Sequence, residues 1–215
     1  MFGSLLIDWI RAAILALAQV LGGNLGVGIL AASTLLRLSL LPLTMHLGRR
    51  AMRQQAIVAR LEPGLRKLRT RYAKDPDRLA SETLALYRRE GYQPLDRVTL
   101  IGNLIQLPLL GGLFAALRSG FTRGLRFLWV ADLARPDFML AALATIIAGL
   151  GVYLGPVPGP ATSAKALSGV LAFTAVSVLT AAWFGGAGFA LSMVGSGLVS
   201  CVQSVLLVRG GKRAA

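Results

Sequence analysis

The sequence has little of the chemistry on which most enzymes depend. Among its 215 residues are one cysteine, one histidine and nine acidic residues. A single cysteine excludes an internal disulfide framework and a multi-cysteine metal site. Any histidine-based triad would have to be built on His46. No GxxxxGK[ST] or GxGxxG stretch follows a strand pattern. We therefore predict that the protein is not an enzyme and uses no metal or cofactor.

Charge is also scarce, while apolar residues are abundant. Charged residues make up 15% of the chain, whereas a soluble domain carries about a quarter. Hydrophobic residues make up 55%, and the mean hydropathy is +0.65. This balance predicts a membrane protein with one soluble insert. The net charge of +14 is compatible with binding to nucleic acid or anionic lipid, or with a role in setting membrane topology.

Five apolar segments approach the roughly 20 residues that a membrane-spanning helix needs. They are residues 24–45, 98–117, 138–154, 166–184 and 187–208. Only Gly185 and Gly186 separate the last two, which must form a tight hairpin. The sequence GPVPGP at 155–160 indicates a stiff connector. The predicted fold is all-α: a polytopic membrane protein with five transmembrane helices, the last four within residues 98–208.

The N-terminal segment, residues 1–23, has a different character. Asp8 and Arg11 interrupt its apolar run, and Trp9 lies between them. This pattern favours an amphipathic helix at the membrane interface. A cleaved signal peptide and an additional span are the alternatives.

The soluble insert, residues 46–97, is strongly basic, with 13 Lys and Arg against six Asp and Glu. Apolar residues at spacings of three and four predict a helix that Pro63 kinks or restarts. A second helix is expected over 77–90, with Gly91 as its C-cap. We predict a helical hairpin whose basic side chains contact partners. These are Arg60, Arg66, Lys67, Arg69, Arg71, Arg88 and Arg89.

Topology follows from the distribution of Lys and Arg. With five spans, the basic insert, Lys165 and the basic tail at 209–215 fall on one side, which is predicted to be the cytoplasm. The N-terminus then lies outside. The opposite loop works against this assignment, because it carries four arginines of its own: Arg118, Arg123, Arg126 and Arg135.

Arg37 is a permanent charge inside the first span. At the centre of a membrane helix such a residue costs roughly 2.5–3.5 kcal/mol, so it usually faces a polar cavity or a partner. No Asp or Glu lies in any of the five spans to neutralise it. The alternative is that its side chain extends to the interface, about 12 Å away by helical rise. We predict a polar groove lined by Arg37, Ser33, Thr34, Asn103, Gln106, Ser192 and Ser196.

Several short motifs occur in a fixed order along the chain. They are LLRLSLLPLT at 35–44, LEP at 61–63, ALYRREGYQPL at 85–95, LIQLP at 104–108, FLWVADL at 127–133 and WF at 183–184. Together they resemble the YidC-type membrane protein insertases, a family that includes mitochondrial and chloroplast relatives. The sequence departs from the family pattern at Asp96-Arg97, at the Gly185–Gly188 turn, and at Ser192, Met193 and Gly197.

The resemblance implies five helices around a hydrophilic groove that is closed outside and open to cytoplasm and lipid. Arg37 would attract polar parts of nascent membrane proteins, which then enter the bilayer laterally without ATP. The implied partners are nascent chains, the ribosome, the Sec translocon and membrane lipids, with no DNA. The implied location is the plasma (inner) membrane of a bacterium. A small anion-binding transporter or channel, or an assembly chaperone without insertion activity, are the competing hypotheses.

Overall fold

The computed structural model describes residues 2–92, 97–155 and 164–213. These ranges are almost wholly helical and contain no β-strand, which confirms the all-α prediction. The helices are α1 (Phe2–Val20), α2 (Leu25–Ser39), α3 (Leu41–Arg71), α4 (Pro76–Arg89), α5 (Arg97–Ala116), α6 (Phe138–Leu154) and α7 (Ala164–Arg213). A π-helical turn, Leu117–Phe121, follows α5. The predicted connector at 156–160 and the Gln93-to-Asp96 stretch lie outside the described residues.

The long helix α7 reverses direction at Gly186, where φ is +76° and the helical geometry is lost. Val178 before this point and Val194 after it pack with Ala144 in one apolar cluster. In a straight helix these two valines would be about 24 Å apart. The predicted hairpin at Gly185–Gly186 is therefore present, and we refer to its arms as the first half (164–185) and second half (187–213) of α7.

The continuous helix predicted over residues 24–45 is wrong in one respect. Helix α2 ends at Ser39, and α3 begins at Leu41 at an angle of 53°. Pro42 lies in the first turn of α3, where its missing N–H and its ring favour a new helix start over continuation. Arg37 consequently lies in the last turn of α2, immediately before the bend.

Helices α3 and α4 form the predicted basic hairpin. Leu61 and Leu65 are buried, and Gly64 lies beside Leu86 of α4. Gly91 adopts φ +69°, as a helix-terminating glycine does. The helix does not restart at Pro63, one of the two effects expected of this residue, because the 31-residue helix α3 includes it. Pro63 is exposed, so water can solvate the carbonyl that its ring leaves without a donor.

Most of the hydrophobic core lies at one end of the bundle, which we call the loop end. There α2 begins, α5 ends, α6 begins and α7 reverses. The arginine loop, residues 118–137, closes this end by burying Phe127, Val130 and Leu133. Phe127 covers Gly26 of α2, and the Gly188 N–H donates to the Leu133 carbonyl at 2.8 Å. The α3–α4 hairpin leaves from the opposite end.

Two described helices are long and apolar enough to cross a membrane, Gly3–Val20 and Leu167–Gly210, and the bent α2–α3 pair adds a third. The second of these includes the reversal at Gly186. Helix α1 packs on Gly28 of α2 through Ala18 and on Gly112 of α5 through Ile10. Gly28 is near the start of α2 and Gly112 near the end of α5, so both glycines lie close to the loop end. The count of five spans and the interfacial placement of α1 stay predictions.

Candidate functional site

A close helix crossing brings α2 against the second half of α7. A Cβ atom at Gly195 would lie 2.5 Å from Ser33 Oγ and 3.0 Å from both the Leu30 carbonyl oxygen and Thr34 Oγ1. Only glycine fits at such a separation, since real Cβ contacts are longer. The crossing places Ser33 and Arg37, one turn apart on α2, beside the serines of α7.

Beyond this crossing the helices diverge around a cavity of about 370 Å³. Its walls come from α2, α5, α6 and the second half of α7. Leu110 and Leu113 are the contribution of α5, and Leu36 and Leu40 flank Arg37 on α2. The polar groups in the wall are the guanidinium of Arg37 and the hydroxyls of Ser33, Ser192, Ser196, Ser200 and Ser204.

Four of these serines form a ladder along one face of α7. Ser192, Ser196, Ser200 and Ser204 recur every fourth residue, over about 18 Å of helix. The first three donate their hydroxyl protons to carbonyls of their own helix, and Ser204 donates to the Gly151 carbonyl of α6 at 2.9 Å. Their oxygen lone pairs remain available, so the ladder presents hydrogen-bond acceptors to the cavity.

Burial decreases along the cavity away from the loop end. Ser33 and Ser192 are each 2% exposed, whereas Ser196, Ser200 and Ser204 are half-buried. The core residues that seal the loop end, including Leu117 and Leu133, are almost fully buried. The cavity is thus closed at the loop end, and its serine side chains become more accessible towards the α2–α3 bend.

Arg37 is half-buried in this wall, and its Nε atom is buried without a hydrogen-bond partner among the described residues. No described carboxylate lies within 4.0 Å of its guanidinium; the ion pairs seen in the described ranges lie in α1, the hairpin and the arginine loop. A cation loses hydration in proportion to its burial, so the half-buried guanidinium carries a desolvation penalty that no described carboxylate offsets. Water, a phosphate or a carboxylate that enters the cavity relieves this penalty, and charge-assisted hydrogen bonds are about twice as strong as neutral ones.

The structure brings together part of the predicted groove. Arg37, Ser33, Ser192 and Ser196 line the cavity. Thr34 does not: it lines a separate apolar pocket between α1 and α2. Asn103 and Gln106 lie on α5, and their side chains are outside the described part of the structure. Our sequence prediction missed Ser200 and Ser204, although their four-residue spacing from Ser196 was visible in the sequence.

The basic side chains predicted to contact partners are all exposed on α3 and α4. Arg66 forms an ion pair with Glu62 at 2.7 Å, and the Arg71 guanidinium lies 5.6 Å from the Tyr72 ring centroid. The two arginines at the C-terminus of α4, Arg88 and Arg89, form no such contact among the described residues.

Comparison with known families identifies this architecture. The family model described as 60Kd inner membrane protein matches residues 16–213. The chain belongs to this family, the YidC-type membrane protein insertases. The match includes Arg37, the α3–α4 hairpin, the arginine loop and both halves of α7. It also establishes the chain as a membrane protein.

Individual YidC-type relatives are similar over shorter stretches. The membrane protein insertase YidC of Clostridium tetani is 34% identical over 121 residues, which cover 55% of this chain and 52% of the relative. That of Fusobacterium nucleatum is 38% identical over 116 residues, 54% and 53% of the two chains. Membrane protein insertase YidC 1 of Lactiplantibacillus plantarum is 25% identical over 196 residues, 89% and 64%. The aligned region thus spans about half to two thirds of these relatives.

Proposed function

We propose that the protein is a membrane protein insertase whose Arg37 cavity receives the polar part of a nascent membrane protein. The observation that carries the proposal is a permanent charge in a serine-lined cavity, with no described carboxylate to neutralise it. Several relatives named membrane protein insertase support it. The substrates would be nascent membrane proteins, released sideways into lipid.

The cavity lowers the energy of moving a polar segment part-way across the bilayer. In hydrocarbon, an unsatisfied amide or hydroxyl costs roughly 2–7 kcal/mol. The hydroxyl oxygens of Ser196 and Ser200 accept hydrogen bonds from such a group, and the Arg37 guanidinium donates them. These hydrogen bonds replace those that the group makes with water. Because these interactions form and break reversibly, the step needs no covalent chemistry and no ATP. None of the described residues that line the cavity has an acidic side chain that would hold the Arg37 guanidinium permanently.

In this proposal, five helices cross the membrane: α2 with the start of α3, then α5, α6 and the two halves of α7. The α3–α4 hairpin and the C-terminal tail lie in the cytoplasm of a bacterium, and the loop end lies outside. Helix α1 lies along the outer interface, which is compatible with its packing against Gly28 of α2 and Gly112 of α5. The arrangement agrees with the basic composition of the hairpin.

Replacement of Arg37 in the full chain, reconstituted into lipid vesicles, tests the role of the cavity. We expect Arg37→Ala to slow insertion of a substrate with an acidic translocated segment roughly ten- to a hundredfold, because a charge-assisted hydrogen bond is worth about 1.5–3 kcal/mol. Arg37→Lys should retain most activity. Arg53→Ala, an exposed arginine on α3, is the matched control.

Three other outcomes would change the conclusion. Equal insertion by all variants would exclude a role for the Arg37 charge. Anion flux through vesicles that disappears in Arg37→Ala would indicate a transporter or channel. If the wild-type chain inserts no substrate alone but raises the yield of substrates inserted by added Sec translocon, the protein is an assembly chaperone.

We further propose that the basic hairpin binds the ribosome, and that Arg88 and Arg89 contact its RNA. The logarithm of the binding constant falls linearly with the logarithm of the salt concentration, and each phosphate contact that is lost makes this slope shallower by about 0.7–0.9. Arg88→Gln with Arg89→Gln should therefore reduce both ribosome affinity and the slope. If the double variant instead weakens binding to phosphatidylglycerol vesicles and leaves ribosome binding intact, the hairpin binds lipid.

A further inference from the structure

The arginine loop carries a feature that the insertase proposal does not use. Phe127 and Val130 exchange two backbone hydrogen bonds, at 3.0 and 2.8 Å, so that Leu128 and Trp129 form the tip of a tight turn. Leu128 adopts φ +51°, a left-handed conformation that is strained for a leucine. Its side chain is 73% exposed and that of Trp129 is 51% exposed. A strained backbone that presents apolar side chains outwards is typical of a contact site.

The turn is held rigidly against the bundle. Asp132 accepts hydrogen bonds from the Gly124 N–H at 3.0 Å and the Ala134 N–H at 2.9 Å. Trp129 Nε1 donates to Asp137 at 3.4 Å, which places the indole beside the start of α6. The loop backbone also accepts hydrogen bonds from Ala187 and Gly188 in the α7 turn. The tip therefore has a fixed position at the loop end.

Exposed aromatic residues mark the same end of the bundle. Phe138 is the first residue of α6 and is 72% exposed, and Trp183 and Phe184 directly before the α7 reversal are 56% and 63% exposed. Two of the chain's three tryptophans thus lie here. Tryptophan is enriched where a membrane protein crosses the headgroup region. The loop end accordingly lies at the level of one membrane–water interface.

The loop is also positively charged, with four arginines against two aspartates. Arg135 pairs with Asp132 at 3.6 Å, and Arg118 lies over the Phe114 ring. Arg123 and Arg126 are exposed and form no ion pair within 4.0 Å in the described ranges. Their charges oppose the usual topological bias, so setting the topology does not account for them. An arginine beside an aromatic belt matches a lipid phosphate in charge and hydrogen-bond geometry.

We propose that this turn is a lipid-binding anchor: Leu128 and Trp129 enter the interface of the leaflet at the loop end, and Arg123 and Arg126 bind the phosphates of anionic phospholipids there. The anchor fixes the closed end of the bundle in the leaflet opposite the basic hairpin. Its occupant is a phospholipid headgroup of the surrounding bilayer. This inference does not depend on the insertase activity.

The test uses the full chain in vesicles of equal parts phosphatidylcholine and phosphatidylglycerol. Trp9→Phe with Trp183→Phe leaves Trp129 as the single tryptophan. Its fluorescence is measured with phosphatidylglycerol brominated on the acyl chains and, separately, with phosphatidylcholine brominated in the same way. We expect stronger quenching by brominated phosphatidylglycerol. Arg123→Gln with Arg126→Gln should remove the preference, since each arginine near a membrane surface contributes about a fivefold gain in association.

Arg69→Gln with Arg71→Gln, on the opposite hairpin, is the matched control and should leave the preference intact. Retained helicity in circular dichroism confirms that the variants fold. The proposal is overturned if Trp129 is quenched by aqueous iodide as readily as in denaturant, because the tip is then in water. It is also overturned if the two brominated lipids quench equally in the parent chain, or if the double arginine variant keeps the preference.

Discussion

Gly195 of α7 and Ser33 of α2 are in such close contact that a single methyl group at position 195 would come within 2.5 Å of Ser33 Oγ. Ser33 is 2% exposed and lies one helical turn from Arg37. The distance between these two residues therefore determines how far Arg37 lies from the serine ladder. A side chain at position 195 would separate the helices at the closed end of the cavity.

We expect Gly195→Leu to destabilise the protein by about 1–3 kcal/mol, which is typical of overpacking at a tight helix crossing. The variant should also lower insertion activity more than its loss of folded protein explains. Gly169→Leu is the control, because a Cβ there has no atom within 4 Å. Thermal unfolding in detergent and vesicle insertion assays measure the two effects. Equal behaviour of the two variants would refute this account of the crossing.

The serine ladder should affect substrates with polar segments more than wholly apolar ones. Ser196→Val with Ser200→Val removes two acceptors from the cavity wall, each worth about 0.5–1.5 kcal/mol. Insertion of a polar substrate should slow several-fold, while an apolar single-span substrate should be unaffected. Ser177→Val on the exposed face of the first half of α7 is the control. A uniform loss for both substrates would indicate a packing defect instead.

Thr44 and Gln203 connect the α2–α3 bend to the end of α7, with Thr44 Oγ1 at 3.1 Å from Gln203 Oε1. Gln203 is only 9% exposed, so its amide depends on this contact. We expect a double-mutant cycle with Thr44→Val and Gln203→Leu to give a coupling energy of about 0.5–1.5 kcal/mol. Among the described residues, the Thr70 hydroxyl bonds the Arg66 carbonyl of its own helix and not Gln203, so Thr70→Val should show no coupling to Gln203→Leu.

We expect Asp132 to make the arginine loop sensitive to acid. Hydrogen bonds from the Ala134 and Gly124 N–H groups, together with the charges of Arg135 and Arg123, lower the pKa of its carboxyl group. A carboxyl with a lowered folded-state pKa stabilises the fold fully above its unfolded pKa, and this contribution disappears as pH falls through the folded-state value. We therefore expect the loop to be stable at neutral pH and to loosen only in acid below the usual carboxyl range.

Asp132→Asn should abolish this acid transition, because asparagine does not titrate. The measurement is Trp129 fluorescence against pH in the variant that lacks Trp9 and Trp183. Asp137→Asn, at the start of α6, is the comparison, since its side chain binds Trp129 and caps the helix. If Asp132→Asn leaves the acid transition in place, another carboxyl group is responsible.

Sequence reasoning located most of the helices, because each apolar run has a length and flanking residues that specify a helix. Helix α6 coincides with the predicted span at 138–154, and α5 begins and ends within one residue of its prediction. The bend at Leu40 was missed because hydropathy measures how apolar a segment is and carries no information on the direction of the helix axis. Pro42 carried the signal, but a proline in a membrane helix also occurs without a break.

The site was harder to predict than the fold. Arg37 could be identified from the sequence without any neighbouring residue, because a charge in an apolar run carries a high energetic cost in the membrane. Thr34 also meets α7, because its hydroxyl lies at the crossing beside Gly195, but it lines the pocket between α1 and α2 and not the Arg37 cavity. Adjacent helix positions differ by about 100° in direction, and the sequence does not show which of them faces the cavity. The four-residue spacing of Ser200 and Ser204 from Ser196 is visible in the sequence. The contact of Gly195 with Ser33 adds which face of α7 is turned towards α2 and the cavity.

The bend between α2 and α3 is a point about which the long helix α3 of the hairpin can tilt. Helix α3 is continuous for 31 residues, a length of about 46 Å, and Arg37 lies three residues from its pivot at Leu40. A tilt of about five degrees at the pivot moves the far end of α3 by roughly 4 Å. We therefore expect a partner that tilts the hairpin to move Arg37 within the cavity as well.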